Sequence, residues 1–90
     1  MDYNGWTNWE TWNFMLWINN EERLYNNVMK AARNFEMLGH QHLVHKFFIK
    51  FLEITAAEIV GTELCLDLKS KDIKNINFEE IAEAIKDEVA

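Results

Sequence analysis

Imidazoles, carboxylates and a single thiol are the groups through which this chain could do chemistry, and His40, His42 and His45 are the densest set. His42 and His45 stand three apart, which on a helix places them on one face. Zinc takes four protein ligands in structural sites and three plus water in catalytic ones. Cys65 or a carboxylate would have to complete the set, and none stands at a recognisable spacing. The histidines therefore read as ordinary imidazoles at a solvated helix start, with no metal and no cofactor expected. Glu10 is the next candidate, with Asn13 and Trp17 along the same strip of a helix. An acid–base role for Glu10 would need a buried setting and a partner acid or base, and the sequence supplies no clear partner. There is also no glycine-rich phosphate loop, nucleophile motif or CxxC pair. No catalytic residue is expected, and the chain reads as non-enzymatic.

Glu79, Glu83 and Asp87 form an i, i+4, i+8 row, with Glu80 and Glu88 beside it and Lys86 the one nearby cation. The plain reading is a solvated face that keeps an acidic protein in solution. The sharper alternative is a DNA mimic, whose carboxylates occupy phosphate-like positions and capture a DNA-binding host enzyme. Lys69, Lys71 and Lys74 in the preceding segment weigh against it. A small enzyme or ligand-binding module ranks further behind.

Tryptophan is the feature that sets this sequence apart. Three of the four tryptophans lie within residues 9–17. At about 100° per residue, Trp9, Trp12 and Leu16 share one side of a helix, Phe14 and Ile18 lie nearly opposite, and Trp17 falls between. Only Glu10, Thr11 and Asn13 interrupt the apolar surface. A helix apolar most of the way round is either the covered centre of a bundle or leaves one face for a partner. Tryptophan is enriched at binding hot spots, and an exposed apolar patch marks an interaction site. The candidate partner-binding residues are Trp6, Trp9, Glu10, Trp12, Asn13 and Trp17. The partner is an unidentified protein or a second copy in a homodimer.

The elements that position these residues follow from caps and periodicity. Asn4-Gly5 suits a turn, since both residues tolerate positive φ. Thr7-Asn8-Trp9-Glu10 reads as a capping box with Thr7 as N-cap, opening a helix that runs to about Ile18. Asn20 is the expected N-cap of a second helix, with Glu21 and Glu22 in its first turn. That helix carries a stripe of Leu24, Val28, Ala31, Phe35 and Leu38, and Gly39 ends it. A third spans roughly Gln41 to Val60, with Leu43, Val44, Phe47, Phe48, Phe51, Leu52, Thr55 and Ile59 on its apolar arc. Residues 62–76 alternate like a strand, but a lone strand has no partner, so a short helix or a continuation is expected, then a polar loop from Ser70 to Asn75. Asn77 caps the last helix, with Glu80 at N3, a staple between Ile76 and Ile81, and a stripe of Phe78, Ile81, Ala82, Ile85 and Val89. The expected fold is all-α: one domain over residues 1–90, a small bundle of four helices, or five if residues 62–76 add one.

Composition narrows the function classes. A net charge of −6 argues against nucleic acid and against an anionic membrane surface. No apolar run approaches the roughly 20 residues of a membrane span, and the opening residues do not read as a signal peptide. One cysteine allows no disulfide within the chain, which fits a reducing, cytoplasmic setting.

The run from Tyr3 to Asn13, Y-N-G-W-T-N-W-E-T-W-N, followed by Leu16-Trp17, resembles the opening of a group of short uncharacterised proteins from phages, bacteria and some archaea. Their opening reads Y-N-G-W-x-N-x-E-T-W-N and then L-W. Asn77-Phe78-Glu79-Glu80-Ile81-Ala82 is similar to that group's acidic C-terminal helix, whereas residues 26–75 show no such likeness. The resemblance implies a small accessory protein carried by a phage or other mobile element. It assigns no functional residue.

Overall fold

Asn4 and Gly5 take φ of 56° and 91°, and the turn they make is closed by the Trp6 N–H on the Tyr3 carbonyl at 3.0 Å. Two successive positive φ values are what an Asn-Gly pair accommodates best. The computed structural model describes residues 3–37 and 41–89, and their side chains apart from those of 37 and 41–43. Leu38, Gly39 and His40, and the side chains of His42 and Leu43, lie outside the described residues.

Four α-helices follow the turn: α1 (Trp9–Asn20), α2 (Glu22–Met37), α3 (Gln41–Ile59) and α4 (Phe78–Val89), with a 3₁₀ helix (Ser70–Asn75) ahead of α4. Among the described residues there is no strand, only the isolated Tyr3–Trp6 bridge. The fold is the all-α bundle expected. α1 packs on α2, α4 and the 3₁₀ helix, α2 also packs on α3 and α4, and α3 packs on α4.

Two helix starts differ from the expected ones. Asn8, not Thr7, is the N-cap of α1: its Oδ1 accepts from the Thr11 N–H at 2.9 Å. Thr7 is turned to α4 instead: its N–H donates to Glu80 Oε1 at 3.1 Å and its Oγ1 accepts from Asn77 Nδ2 at 3.5 Å. Asn20 is the last residue of α1 rather than a cap. Glu21 sits between the helices, its N–H on the Trp17 carbonyl and its carbonyl receiving the Tyr25 N–H. α4 begins as expected, with Asn77 Oδ1 accepting from the Glu80 N–H at 3.0 Å.

The core forms where α1 and α3 meet the inner faces of α2 and α4. Phe14, Ile18, Val28, Met29, Phe48, Leu52, Ile81 and Ile85 are all buried in it. Phe14 meets Phe78 edge to face at 5.8 Å between ring centroids, a geometry that the ring quadrupoles favour. Phe47, read as part of the apolar arc of α3, is instead 55% exposed, because the arc is wider than the neighbours available to cover it.

Residues 62–76 are neither a continuation of α3 nor a strand. Gly61 takes φ 85° and stops α3, its N–H turning to the Cys65 carbonyl. Cys65 and Leu68 are then fully buried while Leu66 is exposed. The stretch read as a polar loop is the 3₁₀ helix, whose start is held by the Lys69 N–H on the Asp72 carboxylate at 2.9 Å. Burial, opposed by a backbone hydrogen bond to Leu68, pushes the Cys65 thiol up to about 11. A raised folded-state value means the proton is held more tightly in the folded chain. Stability is therefore expected to be flat with respect to this group below pH 9, and to fall as pH rises from 9 through about 11. At neutral pH a thiol reagent should label Cys65 only after denaturation, as mass spectrometry of native and unfolded samples would show.

Candidate functional site

The start of α1 and the start of α4 adjoin, and their polar groups serve each other as well as their own helices. Besides the Thr7–Glu80 bond, the Asn77 N–H donates to Thr11 Oγ1 at 2.8 Å, and Thr11 Oγ1 donates to Asn8 Oδ1 at 2.6 Å. Asn8 Nδ2 donates to the Asn75 carbonyl at 2.7 Å, and Asn75 Nδ2 donates to Glu10 Oε2 at 3.2 Å. Both carboxylates read as completing local capping boxes, Glu10 and Glu80, are thus spent on the opposite segment. Glu10 holds the 3₁₀ helix through Asn75.

Asn13 and Trp17 converge on one residue that the sequence did not single out. Asn13 Nδ2 and Trp17 Nε1 both donate to Asp67 Oδ2, at 3.2 and 3.1 Å. These bonds pin the segment after α3 across α1. Asn13 is 2% exposed and Thr11 is fully buried, so two of the three polar interruptions of α1 lie inside. Asn13 Oδ1 has no hydrogen-bond partner.

The apolar residues of α1 divide instead. Phe14, Met15 and Ile18 are buried, whereas Trp12 and Leu16 are half-buried and Trp9 is 36% exposed. Trp9, Trp12 and Leu16 follow one another at i, i+3, i+7 and so line one flank of the helix. Trp6 and Trp17 are half-buried against the core. Of the six candidate partner-binding residues, Trp9 and Trp12 stand on the open flank. Trp6, Glu10 and Trp17 are engaged within the chain but reach the surface, and Asn13 is inside.

A second constellation joins α3 to α4. His45 Nε2 faces Glu83 Oε1 at 3.5 Å and Glu79 Oε1 at 3.7 Å, and Lys86 Nζ lies 3.4 Å from His45 Nδ1. The histidine side chain is 15% exposed and the two glutamates 70% and 60%. Sequence spacing could not reveal this set, because 34 and 38 residues separate His45 from its two carboxylates. A groove between α2 and α3 is lined by Arg23, Lys30, Phe51, Ile54 and Glu58 among others, and none of the residues above borders it.

The fold and its open tryptophan flank define a small all-α bundle with an apolar surface strip. A family model described as a family of unknown function (DUF7249) matches residues 1–90, and the chain belongs to that family. No curated protein and no solved structure matches the chain.

Proposed function

We propose that this chain is a non-enzymatic interaction protein that pairs with a second copy of itself through the Trp9–Trp12–Leu16 flank of α1. The observation that carries the reading is the absence of charge on that flank. Glu10 is the one charged residue among the twelve of α1, and it is turned to Asn75. On the acid-rich surface of α4, by contrast, two copies of a chain of net charge −6 would meet like-charge repulsion. Interface cores are depleted of charge and enriched in aromatic residues, and a two-fold axis brings one strip onto itself. The half-buried tryptophans can then complete their burial without refolding either chain. An accessory role in a phage or other mobile element is the setting that the opening motif's resemblance supports. The single buried thiol supports a cytoplasmic one, and the net charge favours a protein partner over nucleic acid or membrane. Among the described residues, no helix is long and apolar enough to cross a membrane.

The DNA-mimic alternative draws less support, because Glu79 and Glu83 face His45 and stand near Lys86 rather than forming a free anionic row.

Light scattering behind gel filtration over a concentration series tests the pairing. Wild type is expected to shift from monomer to dimer as concentration rises. Trp9→Glu places two carboxylates near the axis at a position already exposed, so the fold should hold by circular dichroism. Its dimer is expected to weaken by about 2 kcal/mol or more, roughly 30-fold in Kd. A wild-type chain that stays monomeric at every concentration would sink the proposal, as would a Trp9→Glu dimer of undiminished affinity.

A further inference from the structure

We infer that His45, Glu79 and Glu83 form a binding site for one divalent transition-metal ion of the zinc class. His45 Nε2 is shielded from solvent and has no hydrogen-bond partner, although two carboxylate oxygens face it. A hydrogen bond to those oxygens would draw them to about 2.7–2.9 Å. Instead they stand at 3.5 and 3.7 Å. Two ligands of a tetrahedral zinc, each bound at about 2.0–2.1 Å, lie roughly 3.4 Å apart. The three donor atoms all fall within 4.8 Å of one another, so one ion can reach all of them with small side-chain movements.

The elements make the set rigid on one side and adjustable on the other. His45 is mostly buried on α3, while Glu79 and Glu83 stand one turn apart on α4 with exposed side chains. The outer face of the site is therefore open to water, which gives the ion an entry path and a fourth ligand. Two carboxylates neutralise the charge of a divalent ion. One imidazole with two carboxylates suits zinc, or cobalt as its probe, better than the all-oxygen shells of calcium or magnesium. Lys86 is the local competitor. Its ammonium, 3.4 Å from Nδ1, favours the ring form with its proton on Nε2. Metal binding needs the Nε2 lone pair, so the ring proton transfers to Nδ1 and Lys86 turns away. Nearby Lys86 thus lowers the affinity without blocking the site.

Tag-free protein titrated with zinc chloride by calorimetry, and with cobalt chloride by visible absorption, tests the assignment. One ion per chain is expected, with a cobalt spectrum of low-coordinate nitrogen and oxygen ligation. Glu79→Gln and Glu83→Gln change exposed side chains and should leave the fold intact. Each is expected to weaken zinc at least ~10-fold, and His45→Gln about 100-fold, as losing a ligand does at least as much harm as losing a supporting group. Lys86→Gln is expected to tighten it several-fold, and zinc should raise the thermal midpoint of wild type more than that of Glu83→Gln. The assignment is overturned if wild type takes up no zinc, or if Glu79→Gln and Glu83→Gln bind it as wild type does. It is equally overturned if binding is lost in a His40→Gln, His42→Gln double variant yet kept in His45→Gln, or if calcium or magnesium binds more tightly than zinc.

Discussion

Phe14→Ala is expected to lower the free energy of unfolding by about 3–5 kcal/mol, the range for truncating a buried phenylalanine. Phe14 is fully buried on the inner face of α1, in the core cluster it shares with Ile18 and Ile81. Truncation removes its transfer free energy and its edge-to-face contact with Phe78, which joins α1 to the first turn of α4. It also leaves a cavity that the surrounding helices can only partly close. A domain of this size holds on the order of 5 kcal/mol in total, at the low end of the usual range. The variant should therefore lie near its unfolding midpoint at room temperature. Urea titration followed by circular dichroism would measure it. A midpoint within error of wild type would mean that the α1–α4 packing described above is wrong.

Thr11→Val should cost about 1–3 kcal/mol through hydrogen bonding alone, because valine preserves the shape. The Thr11 hydroxyl accepts from the Asn77 N–H and donates to Asn8 Oδ1, so it bridges the first residue of one helix region to the cap of the other. Valine leaves the partly buried Asn77 N–H with nothing to donate to, which is the costly half of the change. Asn8→Ala, which removes the α1 cap, should cost about 0.5–2 kcal/mol. The two changes share Asn8 Oδ1, so the double variant is expected to lose less than the sum of the singles. Amide exchange gives a site-specific check: the Asn77 N–H should exchange faster in Thr11→Val, by more than the global loss of stability explains. Strict additivity, with an unchanged Asn77 amide, would show that the two helix starts are not coupled.

These two residues also show how far the sequence could be read. Phe14 lies opposite Trp9 and Trp12 by helical spacing alone, and the structure buries it there. The α2 stripe through Leu24, Val28, Ala31 and Phe35, and the α4 stripe through Ile81, Ala82 and Ile85, were legible for the same reason. Periodicity is a property of one helix, fixed by 3.6 residues per turn. The Asn77 cap was legible because it is completed within three residues.

Thr11 was read only as a polar break in an apolar surface, and its bonding was not legible because its partner lies 66 residues away. The partner of Asn13 was equally illegible, its donor being taken by Asp67 from a segment expected to be a short helix or a continuation of α3. The cap of α1 is Asn8 rather than Thr7, whose N–H and hydroxyl are both turned to distant α4 partners, Glu80 and Asn77. His45 looked unsupported while its carboxylates were sought nearby in the chain, and α4 brings them to it.

By itself, then, the sequence determined the helices, most of their inward faces and the tryptophan strip, since each depends on local spacing and local backbone hydrogen bonds. Only the tertiary structure decided which flank of α1 is covered, that Thr11 and Asn13 lie inside, and which carboxylates meet His45. Those outcomes depend on which donors and acceptors distant segments bring together. A buried polar group takes the partner that packing delivers, and sequence spacing does not encode that delivery.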